Sequence, residues 1–179
     1  KIVWDEKVYP EGNVEFWLTD VERMMRMSVN TQMKLSVKDY VENDRPAWVL
    51  SWPGQVILGV DQIYWTKETE EAIRAHKLRE YHQQCHQQLL DVTKLVRTNL
   101  TGLQRVSLGA LVTMDVHGRD VIENLANADL QDPSEFDWAA QLRLYWEKND
   151  ASFSGDECTM IRQVENVFRY GCEYLGNTM

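Results

Sequence analysis

Residues Thr66–Leu100 read TKETEEAIRAHKLREYHQQCHQQLLDVTKLVRTNL, and the spacing within them decides the fold class. Ile73, Leu78, Tyr81, Cys85, Leu89, Val92 and Val96 recur along one side of a 3.6-residue repeat, with charged and amide side chains between them. Thr66 stands where it can cap a helix, and Glu68, Glu70 and Glu71 load the first turns with the charge that a helix dipole favours. One helix over 67–100 would be about 50 Å long at 1.5 Å per residue, a strut rather than an ordinary globular helix.

Working outward, Val14, Leu18, Val21, Met25 and Val29 mark a second helix over 14–40, with Asn13 at its start and PEGN (10–13) as the turn before it. Residues 1–9 read as a strand. ENDRP (42–46) breaks the chain, a short helix begins near Ala47, and Pro53 interrupts it because proline lacks the donor a helix interior needs. GQVILGVDQIYW (54–65) places Val56, Val60, Ile63 and Tyr64 on one face. Beyond Gly102 the spacing predicts a helix over 103–127, with a stripe of Leu103, Val106, Ala110, Met114, His117, Val121 and Leu125. Gly109 and Gly118 lie inside it, each costing up to about 1 kcal/mol against alanine, and close helix packing is the simplest reason for them. Asp132, Pro133 and Glu135 form a capping signature for a helix to about 142. LRLYWE (142–147) and CTMIRQVENVFRYG (158–171) alternate and predict a β-hairpin around a polar loop. The fold class is therefore mainly α: long packed helices, as a bundle or rod, with a short C-terminal β-hairpin and an N-terminal strand. The chain divides into a strand and turn (1–13), a helical bundle (14–142) and a hairpin with its exit (143–179).

Composition narrows the function. The 179 residues are 44% hydrophobic and include seven tryptophans, each able to bury on the order of 150–250 Å². A net charge of −9 argues against a nucleic acid or an anionic membrane as the main partner. Cys85, Cys158 and Cys172 are widely spaced and odd in number, which suits a reducing compartment better than a disulfide framework. The opening residues lack the apolar core of a secretory leader, and the longest apolar run, around Val56–Val60, is too short to span a bilayer. Both ends read as those of a piece cut from something larger.

Two clusters invite a chemical reading. His82 and His86 are i,i+4 neighbours beside Cys85, a spacing that zinc accepts, although a zinc site needs three or four converging ligands. The plainer reading is a polar helix surface with Cys85 turned to the core. MDVHGRD brings Asp115, His117, Arg119 and Asp120 together in sequence, with His117 falling on the apolar stripe as a core histidine. No GxxxxGK[ST] or GxGxxG phosphate loop and no serine-nucleophile motif is present. Three readings stand on these residues: a mechanical segment of a larger assembly, a free-standing helical adaptor that binds another protein, and a metal-dependent enzyme using His82 and His86.

Five stretches in order, GNVEFWLTDVERMM, WPGQVILGVDQIYWT, LGALVTMDVHGRDVI, FDWAAQLRLYW and FRYGCEYLGN, resemble the dynein heavy chain, in its axonemal form, over the C-terminal part of the linker just before the first AAA+ module. Gly118 and Cys172 depart from the family's usual alanine and aromatic. The resemblance implies a non-catalytic lever that passes nucleotide-driven change in the AAA+ ring on as force. It implies that ATP and magnesium bind in ring modules outside this sequence, with no cofactor here. It implies the same heavy chain's ring as partner, and microtubules and other dynein chains as partners of the whole motor, in the cytoplasm and the ciliary axoneme. It also implies a linker–ring junction at Tyr170, Gly171, Tyr174, Leu175, Gly176 and Asn177.

Overall fold

The structure, a computed structural model, describes residues 8–148 and 157–170. The first helix, α1 (Val14–Glu42), is followed by α2 (Arg45–Ser51), α3 (Gly54–Arg74), α4 (Leu78–Leu95), α5 (Gly102–Asn127) and a single turn, α6 (Phe136–Ala139). Three strands, β1 (Arg143–Lys148), β2 (Glu157–Gln163) and β3 (Asn166–Arg169), form an antiparallel sheet in sequential order. The mainly α class with a small C-terminal sheet is as the sequence predicts. The strand expected over 1–9 falls largely outside the described residues.

The expected strut is two helices. The spacing predicts one helix over 67–100, but α3 runs straight through Thr66, and the chain reverses at Ala75–Lys77. Thr66 is fully buried, and its Oγ1 accepts a hydrogen bond from the Leu144 backbone N–H at 3.1 Å, so it ties sheet to helix instead of capping anything. His76 takes a left-handed φ of 56°, Lys77 N donates to Ala72 O at 2.8 Å and His76 N to Ile73 O at 3.0 Å. Those bonds make a Schellman stop without glycine. Asp129 (φ 55°) ends α5 in the same way, with Leu130 N donating to Leu125 O and both leucines buried.

Helices α3, α4 and α5 therefore run up, down and up, and two apolar clusters lie along them. One joins Met33, Trp48, Ile57, Val60, Leu108 and Leu111. The other joins Ile73, Leu78, Tyr81, Ile122, Leu125 and Trp138. Helix α5 buries Val121 and Leu125 of the predicted stripe but turns a different face inward over its first half. Leu103 and Val106 are 83% and 73% exposed, while Leu108, Leu111, Gly118, Ile122 and Leu125 are buried. Its start carries a full capping box, Thr101 with Gln104, which the sequence reading overlooks.

The two helical glycines also separate. A Cβ on Gly118 would lie 2.9 Å from Trp65 Nε1, so close packing does explain that residue. Nothing lies within 4 Å of a Cβ on Gly109. Gly109→Ala is therefore expected to stabilise the fold by about 0.5–1 kcal/mol, seen as a higher urea midpoint at unchanged slope. A lower midpoint would show that this outer face is covered.

The predicted hairpin becomes three strands, because 158–171 folds back at Val164–Glu165. Val164 takes φ 52°, rare for a β-branched residue, and its N–H donates to Ala139 O at 2.7 Å, which pins the turn to α6. Register sets Leu144 opposite Ile161 and Ile161 opposite Phe168. The helix predicted to reach about 142 shrinks to four residues. Glu135 Oε1 accepts from the N–H groups of Gln131 and Asp132, so the capping pattern closes a turn instead of opening a long helix.

Candidate functional site: a buried charged waist and a tyrosine joint

Between the two apolar clusters the bundle is polar. Arg45, at the first residue of α2, reaches in to Asp61 on α3 and Asp115 on α5. A single nitrogen, Nη2, lies 2.6 Å from Asp61 Oδ1 and 2.7 Å from Asp115 Oδ1, and Nε donates to Asp61 as well at 3.1 Å. All three side chains are about nine-tenths buried. Burial works against the Arg45 charge, but Asp61 and Asp115 outweigh it and push the guanidinium's pKa up. Burial first, and the neighbouring Asp61 second, push the Asp115 carboxyl up to about 7 against the pull of Arg45. Burial likewise raises Glu68 on α3, and it raises the Cys85 thiol on α4 to about 12, keeping the sulfur protonated.

Aromatic side chains brace this waist. Tyr40 stacks on Tyr64 with centroids 4.0 Å apart and meets Trp48 edge-on at 4.8 Å. Trp48 Nε1 donates to Ser36 Oγ at 2.9 Å, and the Tyr64 hydroxyl donates to Val37 O at 2.7 Å. Together these contacts lock α1, α2 and α3 against one another. Such packing makes the junction of the three helices stiff, because a close-packed interior deforms little.

The second feature is Tyr170, where the described chain ends. Its N–H donates to Thr159 O at 2.9 Å, extending the pairing past β3. Its hydroxyl donates to Gln55 O on α3 at 3.4 Å, and its ring lies over Gly59, where an added Cβ would come within 3.6 Å. The sheet exit is thus fastened to the same helix that carries Asp61. Of the residues expected at the junction, Gly171, Tyr174, Leu175, Gly176 and Asn177 lie outside the described residues.

The sequence clusters resolve differently. Cys85 faces the waist, whereas His86 on the same helix is exposed, and no three His, Cys, Asp or Glu side chains among the described residues could hold a metal ion. His117 is exposed rather than core, a correction that follows from the rotated face of α5. It lines an open apolar groove with Met114 and Leu142. Asp115 turns inward instead, and Arg119 pairs with Asp120 at 2.6 Å. The Arg45 triad went unread in the sequence. Its trace is two acids inside apolar helical runs, VILGVDQI and LVTMDV, each followed by further core residues.

No protein-family model matches the chain. Curated relatives do. Dynein axonemal heavy chain 1 of Homo sapiens is 42% identical over 173 residues, covering 96% of this chain and 4% of the relative. Dynein axonemal heavy chain 12 of Rattus norvegicus is 41% identical over 169 residues, 93% of this chain and 5% of the relative. Dynein axonemal heavy chain 3 of Homo sapiens is 37% identical over 176 residues, 97% of this chain and 4% of the relative. The chain spans about 4–5% of the length of the relatives it matches. Among the described residues no helix is long and apolar enough to cross a membrane.

Proposed function

We infer that this chain, similar along nearly its whole length to one segment of axonemal dynein heavy chains, is a mechanical piece of a motor: the C-terminal part of the linker, up to its junction with the first AAA+ module. The observation that carries the reading is the similarity across 96% of the chain. The packing supports it. A lever has to pass on displacement without absorbing it in soft bending, and α3 serves as a common spine to which α1, α5 and the sheet are fastened by buried contacts. Tyr170 then carries load from the sheet exit into that spine through Gln55 and Gly59.

In this reading ATP and magnesium bind in ring modules beyond this segment, and the working place is the axoneme on microtubules. A two-position lever moved from 1:99 to 99:1 needs about 5.5 kcal/mol of differential binding, which the nucleotide state of the ring would supply. Tyr170→Ala in a motor that carries this segment is expected to slow microtubule gliding while ATP turnover continues, since the spine loses its grip on the exit strand. Gly171→Pro and Tyr174→Ala should act in the same sense. Gliding at full speed in all three would remove the joint from the mechanism.

A further inference from the structure

We propose that the waist holds one internal water molecule, bound between Arg45 Nη1 and Asp115 Oδ2 and closed over by the Trp65 indole. Arg45 spends Nε and Nη2 on the two aspartates, and its Nη1 has no protein partner. Asp115 accepts from Arg45 on Oδ1 alone, and its Oδ2 is likewise buried and unpartnered. Trp65 Nε1 is the third such atom. All three side chains line a single cavity of about 20 Å³. One water needs roughly 10–15 Å³ of such space and two to four polar partners.

The donor set selects the ligand. Of the three orphaned atoms whose side chains line this cavity, two are N–H donors and one is a carboxylate oxygen. With Asp115 ionised, a water accepts from Arg45 Nη1, gives a proton to the carboxylate and keeps a lone pair for a further donor such as the Trp65 indole. A cation would meet two hydrogens pointing at it. An anion would sit among Asp61, Asp115 and Glu68, which also line the cavity. Buried polar atoms left unpaired keep their full desolvation penalty, so the water satisfies what the fold leaves open. It also keeps Arg45 forked between two helices instead of closing bidentate on one aspartate.

The test is a structure of this chain, alone or within a longer heavy chain, at a resolution that shows ordered water. The expected result is one peak at hydrogen-bond distance, about 2.7–3.2 Å, from both Arg45 Nη1 and Asp115 Oδ2. A rotated Arg45 whose Nη1 bonds Asp115 Oδ2 directly would overturn the proposal, as would a peak with the coordination of a metal ion. In solution, a water-selective NOE to the Arg45 guanidinium protons should carry the sign of a water held longer than molecular tumbling. Only the sign of fast-exchanging solvent, or no transfer, would overturn it.

Discussion

Arg45→Met is expected to lower the unfolding free energy by about 3–5 kcal/mol at neutral pH, the usual cost of stranding buried charge. Methionine fills much of the same space, so lost volume contributes little, and the loss comes from Asp61 and Asp115 facing each other without their shared cation. The pH dependence identifies the cause. The Asp115 carboxyl sits at about 7 in the fold, against about 3.9 for an unfolded aspartate. A carboxyl with a raised folded pKa favours folding most below its unfolded value, and that advantage is lost as pH rises through the folded value. Native stability from this group therefore declines between about pH 4 and 7. In Arg45→Met the decline steepens and extends higher, because nothing offsets the second negative charge. Urea unfolding at pH 5 and pH 8 should show a larger loss at pH 8. Adding Asp61→Asn and Asp115→Asn should return much of it. An equal loss at both pH values would mean that Arg45 acts through packing alone.

Trp48→Ala should cost a similar amount, about 3–5 kcal/mol, for a different reason. The indole is fully buried at the meeting point of α1, α2 and the first apolar cluster. Alanine would remove that area, the edge-on contact with Tyr40 and the donor to Ser36, and would leave Ser36 buried with its hydroxyl unmet. Trp48 is the largest buried side chain of the short helix α2, so the Arg45 reach from the same helix would loosen with it. Leu103→Ala is the control. It is also a large apolar side chain on a helix but is 83% exposed, and it should stay within about 0.5 kcal/mol of the parent. A Trp48→Ala midpoint close to that control would refute the assignment of Trp48 as the anchor of α2.

Trp48 and Leu103 also show how far sequence reasoning reaches here. The span of α1 and the Pro53 break depend on local rules and come out as those rules predict, whereas Val14, Leu18 and Met25, which carry the apolar period of α1, are 57%, 48% and 44% exposed. The break at His76 depends on local geometry too, but it uses a left-handed histidine where the usual signal is glycine, so the chain carried no visible stop. Val164 hides a turn in the same way, inside a run that alternates like one strand.

The face of α5 was a different problem. Its sequence offers two overlapping apolar stripes one position apart, and only the arrival of α3 and α4 chooses Leu108–Leu111–Ile122 over Leu103–Val106–His117. The Arg45–Asp61–Asp115 waist is a product of that choice. Its members are 16 and 54 residues apart along the chain, so no spacing rule links them. Taken alone, the sequence determined the helical class, most element starts and the similarity to a motor segment. Tertiary structure decided the reversal at His76, the buried face of α5 and the shared cation between two acids. Those outcomes depend on which surfaces meet, and the free energy of burial is set by the partner as much as by the residue.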